Sequence, residues 1–311
     1  MQLSLFMLIS DMKKFILKIV LFFLVLAIID LLLGKVFRYA YQHAVGGYTE
    51  RYHYIYSGTH EDALVFGSSR ALDNFVPDTI EKYLKMSCYD CGEDACGILL
   101  TYPRLNIIKK RYQPKVVIYD LYYSDFEMNP NIKTFTSLKP YYKEKSVSEL
   151  YNRMDGNLKF KMLSNLYIYN SEFITYVADN IHRANYFKKG QYILGHTVTS
   201  KDILVPSKGT IQLDTLKLYY FEKFIRENKN KIAIYFTISP SYKGKDERLF
   251  KSVLDICRKY DMPVFNHYSD TIFTNHHEYF MDPNHLNMDG AAKFTQTIAK
   301  QIVKYNDSKR K

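Results

Sequence analysis

Two short stretches carry residue types that can do chemistry together. Gly67-Ser68-Ser69 follows the apolar run Ala63 to Phe66, and Asp282-Pro283-Asn284-His285 precedes the last helical segment. A serine hydroxyl becomes a strong nucleophile when an imidazole takes its proton. A carboxylate then holds the imidazole tautomer and stabilises the imidazolium. Ser69, His285 and Asp282 supply those three groups. The competing reading is a tight turn with a helix cap at one end and a Pro/Asn turn with a surface histidine at the other. Arg70, next to Ser69, can bind a substrate phosphate or carboxylate, pair with Asp73, or serve a helix end. His276, His277 and His285 beside Asp282 would suit a metal-dependent hydrolase, but no metal is expected. Cys88 and Cys91 form C-x-x-C on or just after a strand, whereas a redox pair of that spacing opens a helix. No second Cys/His pair at zinc spacing follows, so the four cysteines are expected as buried or loop thiols. His53, His60, His182 and His196 have no nearby partners in sequence and read as surface or loop residues.

These groups need elements to hold them. Ala63–Ser69 is nearly all apolar, as for a strand buried on both faces. Weaker strand signal spans Lys85–Gly92. Stronger signals follow at Lys115–Tyr123, Lys231–Pro240 and Pro263–Tyr268. Helical spacing separates them at Pro77–Lys85, Ile98–Tyr112, Leu213–Lys229 and Asp246–Tyr260, and Asp289–Tyr305 closes the chain. This alternation predicts an α/β fold: a flavodoxin-like three-layer sandwich around a five-stranded parallel sheet. Sites in such sheets lie at the C-terminal strand ends. Here those ends are Ser68/Ser69, Gly92, Ser124/Asp125 and Ser239. Residues 126–210 break the rhythm and read as a largely helical insertion, with loops near Asn129–Asn131 and Pro206–Gly209.

Composition narrows the class. The 311 residues are 47% hydrophobic and 24% charged, enough for a full core. A net charge of +11 attracts anionic partners, but the basic residues form no compact tract. No nucleic-acid-binding motif is present, so nucleic acid is not an expected partner. The 29 Tyr and 20 Phe, with no Trp, suit sugar stacking or simply the core of a cap. Phe15–Leu33 is long and apolar enough to span a bilayer. Lysines lie at its start, Asp30 lies near its outer end within reach of interfacial water, and no close cleavage site follows. Residues 1–38 therefore read as an uncleaved signal anchor and 39–61 as a polar juxtamembrane linker. Residues 62–305 read as the catalytic domain and 306–311 as a basic tail. "MKKFILK" from Met12 has the form of a start, which would make the first eleven residues dispensable.

Gly-Ser-Ser and D-x-x-H, in this order at opposite ends of an alternating αβ pattern, resemble the SGNH/GDSL hydrolase superfamily. The resemblance covers about Asp62 to Tyr305 apart from the insertion. It makes Ser69 the nucleophile, with Ser68 where the family usually has Asp. It places the second-block glycine at Gly92, with Gly97 a weaker match, and maps the last block onto Asp282 and His285. The third block departs: Ser124-Asp125 stands where the family has G-x-N-D. The implied oxyanion hole is the Ser69 and Gly92 amides with the Ser124 hydroxyl. Losing one such donor costs about a hundredfold or more in rate. The G-S-S form, the anchor and H-L-N after the histidine are similar to membrane-anchored members, including the D-alanyl transfer protein of teichoic-acid modification and envelope polysaccharide O-acetylation proteins. That similarity implies an esterase or O-acyltransferase on the outer side of a bacterial cytoplasmic membrane, without a cofactor. Its substrate would be an acylated cell-envelope polysaccharide or other glycan, with a membrane-bound O-acyltransferase as partner. The alternative is a catalytically weak or inactive accessory protein of the same fold.

Overall fold

The computed structural model describes residues 2–192, 212–242, 244 and 246–310. Five strands form one parallel sheet: β1 (Ala63–Phe66), β2 (Cys88–Asp90), β3 (Val116–Asp120), β4 (Ala233–Ile238) and β5 (Val264–Asn266). Their spatial order is β2-β1-β3-β4-β5, the flavodoxin-like order expected from sequence. The order of strands changes direction between β1 and β3, so the loop after β1 lies at the topological switch point.

Side-chain alternation explains both covering layers. Leu64 and Phe66, Val117 and Tyr119, and Ile234, Phe236 and Ile238 all join one core cluster. It is closed by α2 (Gly47–Ser57), α5 (Ile98–Ile108), α11 (Thr215–Asn228) and α12 (Lys251–Lys259). Ala63, Val65, Val116, Ile118 and Tyr235 point the other way, onto α4 (Pro77–Leu84), α13 (Thr271–Thr274) and α14 (Met288–Arg310). Burial on both faces is why the strands read as apolar runs rather than alternating ones.

The insertion follows β3 as α6 (Ile132–Leu138), α7 (Lys145–Met154), α8 (Leu158–Lys161), α9 (Asn165–Tyr169) and α10 (Phe173–His182). A short antiparallel hairpin, Phe187–Lys188 with Gln191–Tyr192, comes next and has no counterpart in the sequence reading. It lies against the edge of β2, where the Asp90 amide donates to Lys189 O. The loop expected at Pro206–Gly209, and His196, lie outside the described residues.

The N-terminal helix α1 (Gln2–Gln42) contains one stretch, Ser10–Gln42, long and apolar enough to cross a membrane. Two expectations for this end of the chain need correction. Tyr39–His60 is not a polar linker: α1 runs through Gln42, and α2 is packed into the domain with Ile55, Tyr56 and Arg51 buried. Its polar look hides a buried charge network that leaves no periodic mark. Asp30 is not left to water either. It accepts from Ser164 Oγ (2.6 Å) and from the amides of Asn165 (2.8 Å) and Leu166 (2.9 Å), at the start of α9. At the other end of the chain, residues 306–310 are not a separate tail but the last turns of α14.

Candidate active site

Gly67 ends β1 with φ +144°, and a Cβ there would lie 2.8 Å from Asp120 O, so the turn needs glycine. The turn feeds α3 (Ser69–Asn74), with Ser68 at the N-cap and Ser69 as the first helical residue. This separates the two serines. Ser68 is buried, and its hydroxyl lies beside the Asp125 carboxyl. Ser69 is partly exposed, and its Oγ lies 2.8 Å from His285 Nε2.

The histidine is held in a fixed orientation. His285 Nδ1 lies 2.8 Å from Asp282 Oδ2, while Asp282 Oδ1 accepts from the Asn284 (2.7 Å) and His285 (3.0 Å) amides. Burial alone would push the Asp282 carboxyl up. The His285 hydrogen bond and charge, with those two amides, outweigh it and hold the carboxyl below its usual range. Neighbouring strand ends pin the loop: Ser241 Oγ and the Tyr242 amide donate to Pro283 O, and Tyr122 Oη donates to Asn284 Oδ1. Asn74, at the end of α3, accepts from the Leu286 amide at 2.9 Å. Asn287 then caps α14 by accepting from the Gly290 amide at 3.0 Å. The histidine and the serine are thus tied together through the backbone as well as through their side chains.

The other expected site residues fare differently. Arg70 does not face substrate: it is buried, donates through Nη2 to Ser239 O and Pro240 O, lies 3.9 Å from Asp120, and stacks over the Tyr122 ring. A guanidinium so placed braces α3 against the ends of β3 and β4. The Gly92 amide is not free for an oxyanion, because it donates to Asp90 Oδ1 at 2.7 Å. Gly92 instead permits close packing, since a Cβ there would lie 2.6 Å from the Leu72 amide nitrogen. Ser124 lies in a 3-10 turn, Tyr123–Phe126, and among the described residues its hydroxyl bonds to none of Ser69, Asp282 and His285. The Ser69 amide, first in its helix, has no intrahelical acceptor and remains the donor best placed for an oxyanion. His276 pairs with Glu278, and no group of three metal-ligating side chains occurs among the described residues. The four cysteines are free and buried.

Below the serine lies a set of buried acids. Burial pushes Asp90 up to about 8, Asp125 to about 7 and Asp120 to about 6; Arg51, Ser68 and Arg70 respectively offset part of each rise.

Sequence reasoning offers Asp73 only as a partner for Arg70. It stands one helical turn from Ser69, and its charge interacts with His285. The signal available in the sequence is the i, i+4 spacing of Ser69 and Asp73. Burial pushes the Asp73 carboxyl up to about 7. Below that pH it is neutral. Above it, a second negative charge joins Asp282 near His285 and would favour an imidazolium there. If the serine cleaves esters, ionised Asp73 should add to turnover as the pH rises through about 7. Asp73→Asn should lower the rate at pH 8 on the order of fivefold and leave rates below pH 6 little changed. A pH–rate profile of kcat/KM for both proteins checks this.

No protein-family model matches the chain, and no curated protein matches it. Among solved structures, a Lactobacillus plantarum protein is similar over 80% of this chain and 98% of its own length, at 10% identity and a TM-score of 0.40. Another is similar over 78% of this chain and 96% of its own, at 12% identity and a TM-score of 0.39. At such values the likeness carries no weight for function.

Proposed function

We propose that this chain is a membrane-anchored serine acyl-transfer enzyme, an esterase or O-acyltransferase acting on an ester of a cell-envelope polysaccharide. The observation that carries the reading is the relay from Ser69 Oγ to His285 Nε2 and from His285 Nδ1 to Asp282, both steps at 2.8 Å. Ser69 attacks the ester carbonyl as His285 takes its proton, and the developing oxyanion meets the Ser69 amide. His285 then protonates the leaving alkoxide, giving an acyl-Ser69 intermediate. A glycan hydroxyl or water, deprotonated by His285, releases the acyl group and regenerates the serine. In this reading α1 holds the domain outside a bacterial cytoplasmic membrane as a single-pass anchor. A membrane-bound O-acyltransferase partner enters through the SGNH/GDSL resemblance alone. The reaction requires no cofactor.

Labelling by a fluorophosphonate probe tests the nucleophile. The wild-type chain should label and Ser69→Ala should not, while Ser68→Ala, at the buried neighbour, should retain labelling. Equal labelling of wild type and Ser69→Ala would sink the assignment.

One observation favours the second reading, a catalytically weak accessory protein. With the Gly92 amide committed to Asp90 and Ser124 away from the relay, one of the three expected oxyanion donors remains. Turnover of p-nitrophenyl acetate no faster than that of the Ser69→Ala chain would decide for it.

A further inference from the structure

The insertion is fastened to the anchor helix at a definable height. Phe15–Leu33 spans about 28 Å as a helix, close to the ~30 Å hydrocarbon core. Asp30 therefore sits about 5 Å inside the end of the apolar stretch. It does not stand there alone, since it caps α9 through Ser164 and the Asn165 and Leu166 amides. The two helices come very close: a Cβ on Gly34 would lie 2.2 Å from Asn165 Cβ. The α8–α9 junction is thereby placed at the edge of the hydrocarbon.

The next helix is fastened higher up. Phe37 and Phe173 pack with ring centroids 4.3 Å apart, and Asn180 donates to Ala40 O at 2.9 Å. Those contacts lie about 6 and 10 Å beyond Leu33 along α1. Between them α10 advances seven residues while α1 advances three, so α10 crosses α1 obliquely rather than running beside it.

Several side chains near these contacts are apolar and exposed. Leu163 is 79% exposed and Ile174 81%, with Phe160 on α8 and Ile181 on α10 also turned outward. A soluble surface gains nothing from such a strip, but the headgroup–acyl boundary does. Lys159 and Lys161 flank it, and Lys159 Nζ lies over the Phe160 ring, the apolar-body, charged-tip arrangement that suits an anionic interface.

We infer that the α8–α10 face seats in the headgroup–acyl boundary of an anionic phospholipid bilayer, as a second membrane contact beside α1. This rests on α1 spanning the membrane and is independent of the acyl-transfer reading.

The full chain in vesicles of phosphatidylethanolamine and phosphatidylglycerol tests it. Leu24→Cys, Leu163→Cys, Ile174→Cys and Ile272→Cys are each labelled with an environment-sensitive fluorophore; the native thiols are buried and the replaced residues are exposed. Labels at 163 and 174 should shift to the blue, lose emission to a headgroup spin-labelled lipid and resist iodide. The label at 272, on α13 of the catalytic domain, should respond only to iodide. A label at 24 quenched by chain-labelled lipid, with 163 and 174 open to iodide, overturns the lipid-seated face and leaves the anchor standing. Iodide access at 24 overturns the anchor, and this inference with it. Positions 163 and 174 shielded from both quenchers would mean a protein covers the face, and would overturn the lipid assignment.

Discussion

His285→Ala should lower kcat for p-nitrophenyl acetate by at least about 10³-fold with little change in KM. The imidazole is the only base in contact with Ser69 Oγ among the described residues, at 2.8 Å, and without it the hydroxyl must attack as a neutral alcohol. The imidazole ring is mostly buried against Asp282, so a melt of the variant should accompany the kinetics to separate lost catalysis from lost folding. The sharper result is the double variant. Ser69→Ala with His285→Ala should be no slower than either single change, because the two residues act in one step and their effects do not add. Two independent losses that multiply would mean that the pair is not a catalytic unit.

Glu93→Ala carries the largest expected effect on stability. Glu93 follows β2 and is almost fully buried. It accepts from Tyr52 Oη (2.7 Å) and Arg51 Nη1 (3.3 Å), and lies 3.7 Å from Arg104 and 3.1 Å from Lys133. Burial would push its carboxyl up, but Arg51, Arg104 and Lys133 outweigh that and hold it below its usual range. Removing it strands two buried guanidiniums beside each other with no acid between them. Breaking a buried pair from one side costs about 3–5 kcal/mol, a large share of a total of roughly 5–15. A melt should fall on the order of 10 °C. Glu93→Gln, which keeps an acceptor for Tyr52, should fall less. Activity per folded molecule at low temperature should persist, since Glu93 touches none of the relay. An unchanged melt for Glu93→Ala would show that the network adds nothing to stability.

Much of this was legible from local pattern. Apolar runs located β1, β3 and β4 because both faces of each are covered, and Gly67 and Pro77 marked ends that local backbone chemistry dictates. The relay was readable because D-x-x-H places both members on one loop, and Asp282 reaches its histidine from three residues away. What escaped was pairing at a distance. Arg51 meets Glu93 across 42 positions, Arg70 turns inward to Asp120 fifty residues on, and Asp30 meets Ser164 across 134. Such partners leave no periodicity, so α2 read as a linker, Arg70 as a ligand for substrate and Asp30 as a hydrated end. The Gly92 amide escaped for another reason: a motif can name the residue, but only the neighbouring Asp90 carboxyl decides whether its N–H is free.

Ser69 and His285 are separated by 216 positions. A chain made at roughly 5–20 residues per second presents Ser69 some 10–40 s before His285 exists. Throughout that interval the serine is an ordinary alcohol. The Leu286 amide has not yet met Asn74, and α14 has not yet closed the sheet. In the proposed reading, reactivity is thus acquired only once His285 has been made, so chains that stop short of it should carry an unactivated serine. The order of residues along the chain acts as a built-in delay, with the fold itself in the role of a propeptide.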